Sequence, residues 1–397
     1  MLYIGEAYMK AASSQNAVKG FSTTGIWPTN SNVFNDSDYM PSTVTDGLVC
    51  LFSNFDTYGD QQSFDVNRSL MPTEKQEHTV KSTSMMQKCN QVFSYKQWVS
   101  TPKVTLETTI KSTLDFVDDF CEKLVALLPH NFIAKEQAAY LRALKESITE
   151  NEFMVIVDFA ENYAFVVQDA APGFHWNNDQ ATVYTVVIYY KVDNQFTHQS
   201  MINQCIISDC LNHDSIAVHI YSEIIINFIK SLSSTVAKLF FFSDGAPQQY
   251  KNYKHFSNLS HYRREFGVIV EWNFFATAHG KGPCDGVGGT IKRKASRTSL
   301  QLPPDQQILT PKQLFEWASQ NLTKMNIRFS TIEVYNSMKE KLEDQFTNAK
   351  TIPATQKIHK ISPLEDCMVQ VKMFSSSEKY LNHSTMKKRR ESSSKKR

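Results

Sequence analysis

At 397 residues the chain has room for one large domain or two of medium size. A hydrophobic content of 41% and an aromatic content of 12% exclude a disordered or fibrous chain. Net charge is +2, but Lys387 to Arg397 alone carries seven Lys/Arg against one Glu, leaving −4 for the remainder, which excludes a uniformly basic surface and confines any nucleic-acid contact to local patches.

The seven cysteines are odd in number and scattered, with no C-x-x-C pair, as expected of a reduced intracellular protein. The N-terminus lacks a basic-then-apolar signal pattern and no apolar run reaches membrane-spanning length, so neither secretion nor membrane insertion is expected.

Residues 1–47 read as a short helix over Tyr3–Ala17, stopped by Gly20, then a turn-rich arm with aromatic anchors. The arm's Gly25-Ile26-Trp27-Pro28-Thr29-Asn30 and Val33-Phe34 resemble the C-terminal end of the catalytic domain of pogo/jerky-type DDE transposases, without a catalytic residue. Residues 48–100, rich in Ser, Thr, Gln and Asn, read as a disordered linker. Residues 101–150 read as helical: Phe116, Phe120, Leu124, Leu127 and Leu128 fall near 3.6 spacing. Pro129 is expected to end that helix, with a second over Phe132–Ile148.

The core is expected over 151–300. Phe153–Asp158 reads as a buried strand ending in an acid, Thr182–Lys191 and Met201–Ser208 as two more strands. Ser215–Leu232 is long and amphipathic, hence helical. Strand Leu239–Phe242, helix Pro247–Leu259, strand Val268–Phe275 and a helix over Asp285–Ser299 follow. The order βββαβαβα is that of an RNase H-like α/β fold, a mixed sheet flanked by helices. Residues 301–374 read as a helical extension with Pro311–Leu322, N-capped by Thr310, and a weaker helix over Thr331–Phe346. Residues 375–397 read as a disordered basic tail, suited to a nuclear import receptor or to DNA phosphates.

Three acids stand just beyond apolar runs: Asp158, Asp244 and Asp285. In an RNase H-like sheet the first and fourth strands are neighbours, so their acids meet, and the third arrives from the helix after the fifth strand. Three gathered carboxylates repel one another unless a cation sits between them, and hard oxygen donors suit Mg²⁺ or Mn²⁺. The runs Asp158-Phe159-Ala160-Glu161-Asn162-Tyr163, Ser243 to Asn252 and the glycine-rich His279 to Gly289 together resemble the DDE/RNase H-like transposase-derived proteins of invertebrate genomes, over about residues 150–320. That resemblance implies a two-metal polynucleotidyl transferase acting on DNA in the nucleus, with Asp158, Asp244 and Asp285 as catalytic and metal-binding triad. Glu161 and Glu271 are rival metal ligands. A catalytically silent DNA- or protein-binding derivative is the alternative.

Five of the 13 glycines fall between Gly280 and Gly289, the crowding expected where backbone lies close to a ligand or packs tightly. His279, Lys281, Lys292 and Arg293 are the candidate nucleic-acid contacts, with Lys294 and Arg297 on the same helix. Cys210-x-x-His213 with His279 and Cys284 makes a four-member zinc candidate, against which a buried cysteine and a helix-start histidine are the simpler account. Trp176 is a candidate base-stacking residue or a loop anchor.

Overall fold

The computed structural model describes residues 92–387 apart from 101–102, 168–178, 193–194, 196–199, 278, 281 and 366. The N-terminal arm, most of the expected linker, Trp176, Lys281 and residues 388–397 lie outside the described residues.

The end of the expected linker and the start of the expected helical segment form an antiparallel hairpin: β1 (Val92–Ser100) and β2 (Val104–Ser112) pair from Val92 opposite Ser112 to Ser100 opposite Val104. Both strands are built largely on β-branched and aromatic residues, which favour a pleated strand even where polar neighbours mute the apolar signal. One helix, α1 (Thr113–Ser147), replaces the two expected; its N-cap Ser112 accepts from the Asp115 amide at 3.2 Å. Pro129 lies inside it. A mid-helix proline costs roughly 3 kcal/mol, and tertiary docking of the second half offsets it. Ala134, Leu144 and Ile148 are buried, and the Gln137 side chain donates to the Phe274 carbonyl at 2.8 Å while accepting from the Ser375 amide at 2.7 Å.

The core is a mixed α/β assembly around a nine-stranded sheet. Its strands are β3 (Glu152–Ala164), β4 (Gln180–Tyr189), β5 (Met201–Ser208), β6 (Lys238–Ser243), β7 (Ile269–Phe274), β8 (Met325–Ser330), β9 (Lys360–Pro363), β10 (Met368–Lys372) and β11 (Leu381–Ser384). The order across the sheet is β11-β10-β9-β7-β6-β3-β4-β5-β8. β3, β4 and β5 form an antiparallel meander, while β6 runs parallel to both β3 and β7. β8 joins β5 in parallel at one edge; β9 pairs antiparallel with β7 at the other. The extension expected to be purely helical thus supplies edge strands on both sides. These strands are four to six residues long, too short for alternation to announce them.

The helices are α2 (Ser215–Leu232), α3 (Tyr253–Phe266), α4 (Pro283–Ser299), α5 (Pro311–Asn321) and α6 (Ile332–Asn348). α3 starts six residues later than expected, because Asn252 caps the His255 amide at 3.0 Å and the preceding segment turns back on Ala246. It ends where Gly267 adopts φ 63°, the left-handed C-cap that glycine takes without strain. Alternation along β3 divides the core. Phe153, Val155 and Val157 face α2, α3 and α6; Met154 and Ile156 face the end of α1, α4 and α5. α2 is apolar and long enough to cross a membrane, but 61% of it is buried in this core, which accounts for its composition.

The segment after Ser375 is ordered as far as Lys387, not disordered from Ser375. Ser375 is buried and its hydroxyl donates to Asn273 Oδ1 at 2.7 Å; β11 follows, and the Lys387 amide donates to the Asn348 carbonyl at 2.9 Å.

Candidate active site

β3 and β6 pair in parallel from Glu152 opposite Lys238 to Ile156 opposite Phe242. Continuing that register by two residues sets Asp158 level with Asp244. β6 ends at Ser243, so Asp244 is the first residue past it. Asp158, by contrast, is not at a strand end: β3 runs on to Ala164, paired with β4 through Asp158 opposite Thr185 and irregular between Ala160 and Tyr163. It stands where β3 loses its β6 neighbour, which opens one side of the strand beside its carboxylate.

Local bonds fix Asp244. Its Oδ1 accepts from the Ala246 amide at 3.2 Å, its carbonyl accepts from Ser243 Oγ at 2.8 Å, and Ser243 Oγ in turn accepts from Trp272 Nε1 at 2.9 Å. The loop after β7 crosses close by: a Cβ built on Gly280 would stand 3.3 Å from the Asp244 Cβ, so this glycine permits the approach. Asp285 is in the first turn of α4, where the Gly282 amide donates to its Oδ2 at 2.9 Å. α4 is held on the sheet by Cys284, whose thiol donates to the Ile156 carbonyl at 3.3 Å, and by Gly288, where a Cβ would come within 3.1 Å of the Ala160 Cβ.

The three acids share one electrostatic field. Burial, then the charges of Asp244 and Asp285, push Asp158 up to about 7. Burial also raises Asp244, against the pull of the Ala246 N–H and Lys251. Among the described residues no group of three or more His, Cys, Asp or Glu side chains stands ready to hold a metal ion. The acids are therefore close enough to repel but do not form a closed ligand shell, and one Asp285 oxygen serves its own helix cap.

The rival acids have other work. Glu271 is buried in β7, 3.0 Å from Lys238 Nζ and 2.9 Å from Lys360 Nζ, and accepts from the Tyr140 hydroxyl at 2.7 Å. Burial alone would raise its carboxyl, but Lys360 and Lys238, with Tyr140, outweigh that and hold it below the usual range. This is a saturated internal ion cluster, not a vacant ligand. Glu161 is exposed and lies near Lys292, whose ammonium is lowered by burial and partly restored by that charge.

Among the candidate contacts, Arg293 is exposed on α4 and Lys292 half-buried. The His279 ring lies 5.1 Å from that of His130 on α1, and burial with His130 lowers its pKa. The zinc set is not assembled: Cys210 and Cys284 belong to the cores on opposite faces of the sheet. His213 instead stacks on Phe159 at 4.3 Å with its Nε2 3.1 Å from Thr182 Oγ1.

Lys251 escapes a reading of the sequence. It is buried, and its Nζ donates to the Gln356 carbonyl at 3.1 Å. Burial lowers it to about 8 although Asp244 pulls the other way. A Cβ on Gly245 would meet its Cε at 2.9 Å, so Gly245 makes room for a buried cation beside Asp244. Its place within Ser243–Asn252 is the one signal in the sequence.

Residues 137–375 match the family model described as Domain of unknown function (DUF8701), which covers more than half of the chain. The chain belongs to the DUF8701 family. A second model, Domain of unknown function (DUF8700), matches residues 68–128, so the boundary between the two falls within α1. The DUF8701 region holds all three acids, Lys251 and all nine strands of the main sheet except β11. No curated protein and no solved structure matches the chain.

Proposed function

We propose that this DUF8701 protein is a transposon-derived polynucleotidyl transferase of the DDE type with an RNase H-like core, acting on DNA phosphodiesters with Mg²⁺ or Mn²⁺. The observation that carries this reading is the placement of the acids on the sheet. The central order β5-β4-β3-β6-β7, with β3 parallel to β6 and β6 parallel to β7, is the order of an RNase H-like sheet. Within it Asp158 and Asp244 stand level on neighbouring strands, and Asp285 enters from the helix after β7.

The donor set suits a hard divalent cation, and the Asp158 carboxyl, raised to about 7 by burial first and then by the charges of Asp244 and Asp285, is the group such a cation would favour in its ionised form. Asp158, Asp244 and Asp285 would hold it. When bound, a metal pair supplies activation of the attacking hydroxyl and stabilisation of the leaving oxygen. The chain's own contribution is positional. β3 and β6 fix two carboxylates against each other, the Ala246 amide orients Asp244, and α4 is brought down close by its small residues. The Gly282–Asp285 cap bond has to exchange if both Asp285 oxygens are to face a ligand.

A second reading, a catalytically silent DNA-binding derivative, draws on the absence of a closed metal shell among the described residues. The deciding experiment incubates the full chain with labelled duplex DNA in Mg²⁺ and in Mn²⁺. Nicking or strand transfer by the wild type, abolished in Asp158→Asn and in Asp244→Asn, supports the catalytic reading. DNA binding without any cleavage in either metal supports the silent derivative.

A further inference from the structure

Asp285, Gly289 and Lys292 share one flank of α4 by helical spacing; Gly286, Thr290 and Lys294 share the other. The second flank borders a cleft of about 590 Å³ between α4, the start of β5 and the turn joining α5 to β8. Besides those three residues, Asn203, Thr323 and Lys324 line it. The lining holds two lysines and no carboxylate. Both lysines are exposed, and neither has an ion-pair partner among the described residues. Two cations thus border one cleft whose lining supplies no counter-charge, the arrangement that favours an anion there. The Thr290 hydroxyl is committed to the Gly286 carbonyl at 2.7 Å, but the Asn203 amide and the Thr323 hydroxyl are donors of the kind that phosphate oxygens accept.

Between Asp285 and Lys294 the outer surface of α4 is uncovered at Gly286 and Gly289. A Cβ on Gly286 or Gly289 would meet nothing within 4 Å, so neither glycine is required by internal packing. Each costs its helix roughly 1 kcal/mol relative to alanine. Exposed Arg293 and Arg297 lie on the same outer surface. From Asp285 to Lys294 the helix rises about 13.5 Å, the axial length of about four base pairs. A small anion would need one lysine; a polyanion passing over α4 meets the arginines and then both lysines.

We propose that the cleft lined by Lys294 and Lys324 is a phosphate-binding subsite for duplex DNA, its Lys294 end lying the axial length of about four base pairs along α4 from Asp285. This rests on the reading of the site as one that acts on DNA.

The test measures binding of a fluorescent DNA duplex to the full chain in EDTA, across a salt series. The proteins compared are wild type, Lys294→Ala/Lys324→Ala, and a charge-matched control, Lys339→Ala/Lys341→Ala, on α6 against the opposite face of the sheet. All four lysines are exposed, so the melting temperatures should agree. With the cleft variant, the slope of log affinity against log salt should become shallower by about 1.8, or 0.9 per lost phosphate contact. Affinity at 0.1 M salt should fall on the order of tenfold to a hundredfold. The control should keep the wild-type slope. Equal losses in both variants, or no loss in the cleft variant while the wild type binds, overturn the subsite and leave the functional reading standing. A wild type that binds no DNA overturns both.

Discussion

Asp158, in β3, and Asp244, the first residue past β6, each lie two residues beyond Ile156 and Phe242, the last pair of two neighbouring parallel strands. The sheet therefore brings two carboxylates near each other, and burial together with the charges of Asp244 and Asp285 disfavours the ionised form of Asp158.

Asp158→Asn should therefore stabilise the metal-free protein. Its folded pKa, about 7, is raised above the unfolded value. A raised carboxyl contributes stability that is present below the unfolded pKa and lost as pH rises through the folded one. After allowance for solvent screening, the gain at pH 8 should be roughly 1–2 kcal/mol, shrinking towards pH 5. Thermal unfolding in EDTA at the two pH values measures it; an equal effect at both would show that the charge is not the cause. Mg²⁺ should reverse the order by stabilising only the wild type.

Lys360→Met should cost about 1–3 kcal/mol, less than the full penalty of an unpaired buried charge, because Glu271 loses one cation but keeps Lys238 and the Tyr140 hydroxyl. The depressed Glu271 carboxyl contributes stability present above its unfolded pKa and lost as pH falls through the folded value. Chemical denaturation at pH 7 gives the loss. The thermal shift on adding Mg²⁺ should match that of the wild type, since this cluster is separate from the acids.

Acid should unfold the protein through its buried histidines. Burial lowers His219 and His359 to about 4 and His255 to about 3. Each is neutral when folded and takes up a proton on unfolding below about pH 6.5, so stability is present above 6.5 and is lost progressively as pH falls towards 4. His255 packs edge-on against Trp272 at 4.5 Å, and its ring nitrogens have no hydrogen-bond partner among the described residues. His255→Phe should flatten the pH dependence of Tm between 6.5 and 4, read by circular dichroism; an unchanged curve would exonerate this residue.

Gly288→Ala should lift α4 from the sheet, since the new methyl would press on Ala160 at 3.1 Å and Thr185 at 3.3 Å. A loss of roughly 1–3 kcal/mol is expected from overpacking, with loss of any Mg²⁺ response as Asp285 moves. Gly289→Ala, one residue on and open to solvent, should instead gain roughly 0.5–1 kcal/mol from helix propensity. Paired thermal melts of the two variants decide it.

Nuclear import is expected of the basic cluster that begins at Lys387. Residues 388–397 still hold Lys388, Arg389, Arg390, Lys395, Lys396 and Arg397. Deleting 388–397 should leave Tm unchanged and retain a fluorescent fusion in the cytoplasm. A truncated fusion that still concentrates in the nucleus would place the signal elsewhere.

The sequence by itself determined the parts whose cause is local. Short continuous apolar runs marked β3 to β7, and the amphipathic Ser215–Leu232 marked α2 to the residue. Thr310, Pro311 and Gln313 wrote the start of α5 through a cap closed within four positions. It also marked Asp158, Asp244 and Asp285 as acids beside apolar runs. Only the tertiary structure decided what partners across the chain contribute. Glu271 is neutralised by a lysine 89 positions away, and Gln137 carries α1 past Pro129 by bonding Ser375, 238 positions on. The short strands β8 to β11, which extend the sheet on both sides, form because it offers them unpaired backbone, not because their own residues demand it. Lys251 is a surface residue by composition and a buried cation by position. Solvation and charge pairing depend on distance in space, which local pattern does not encode.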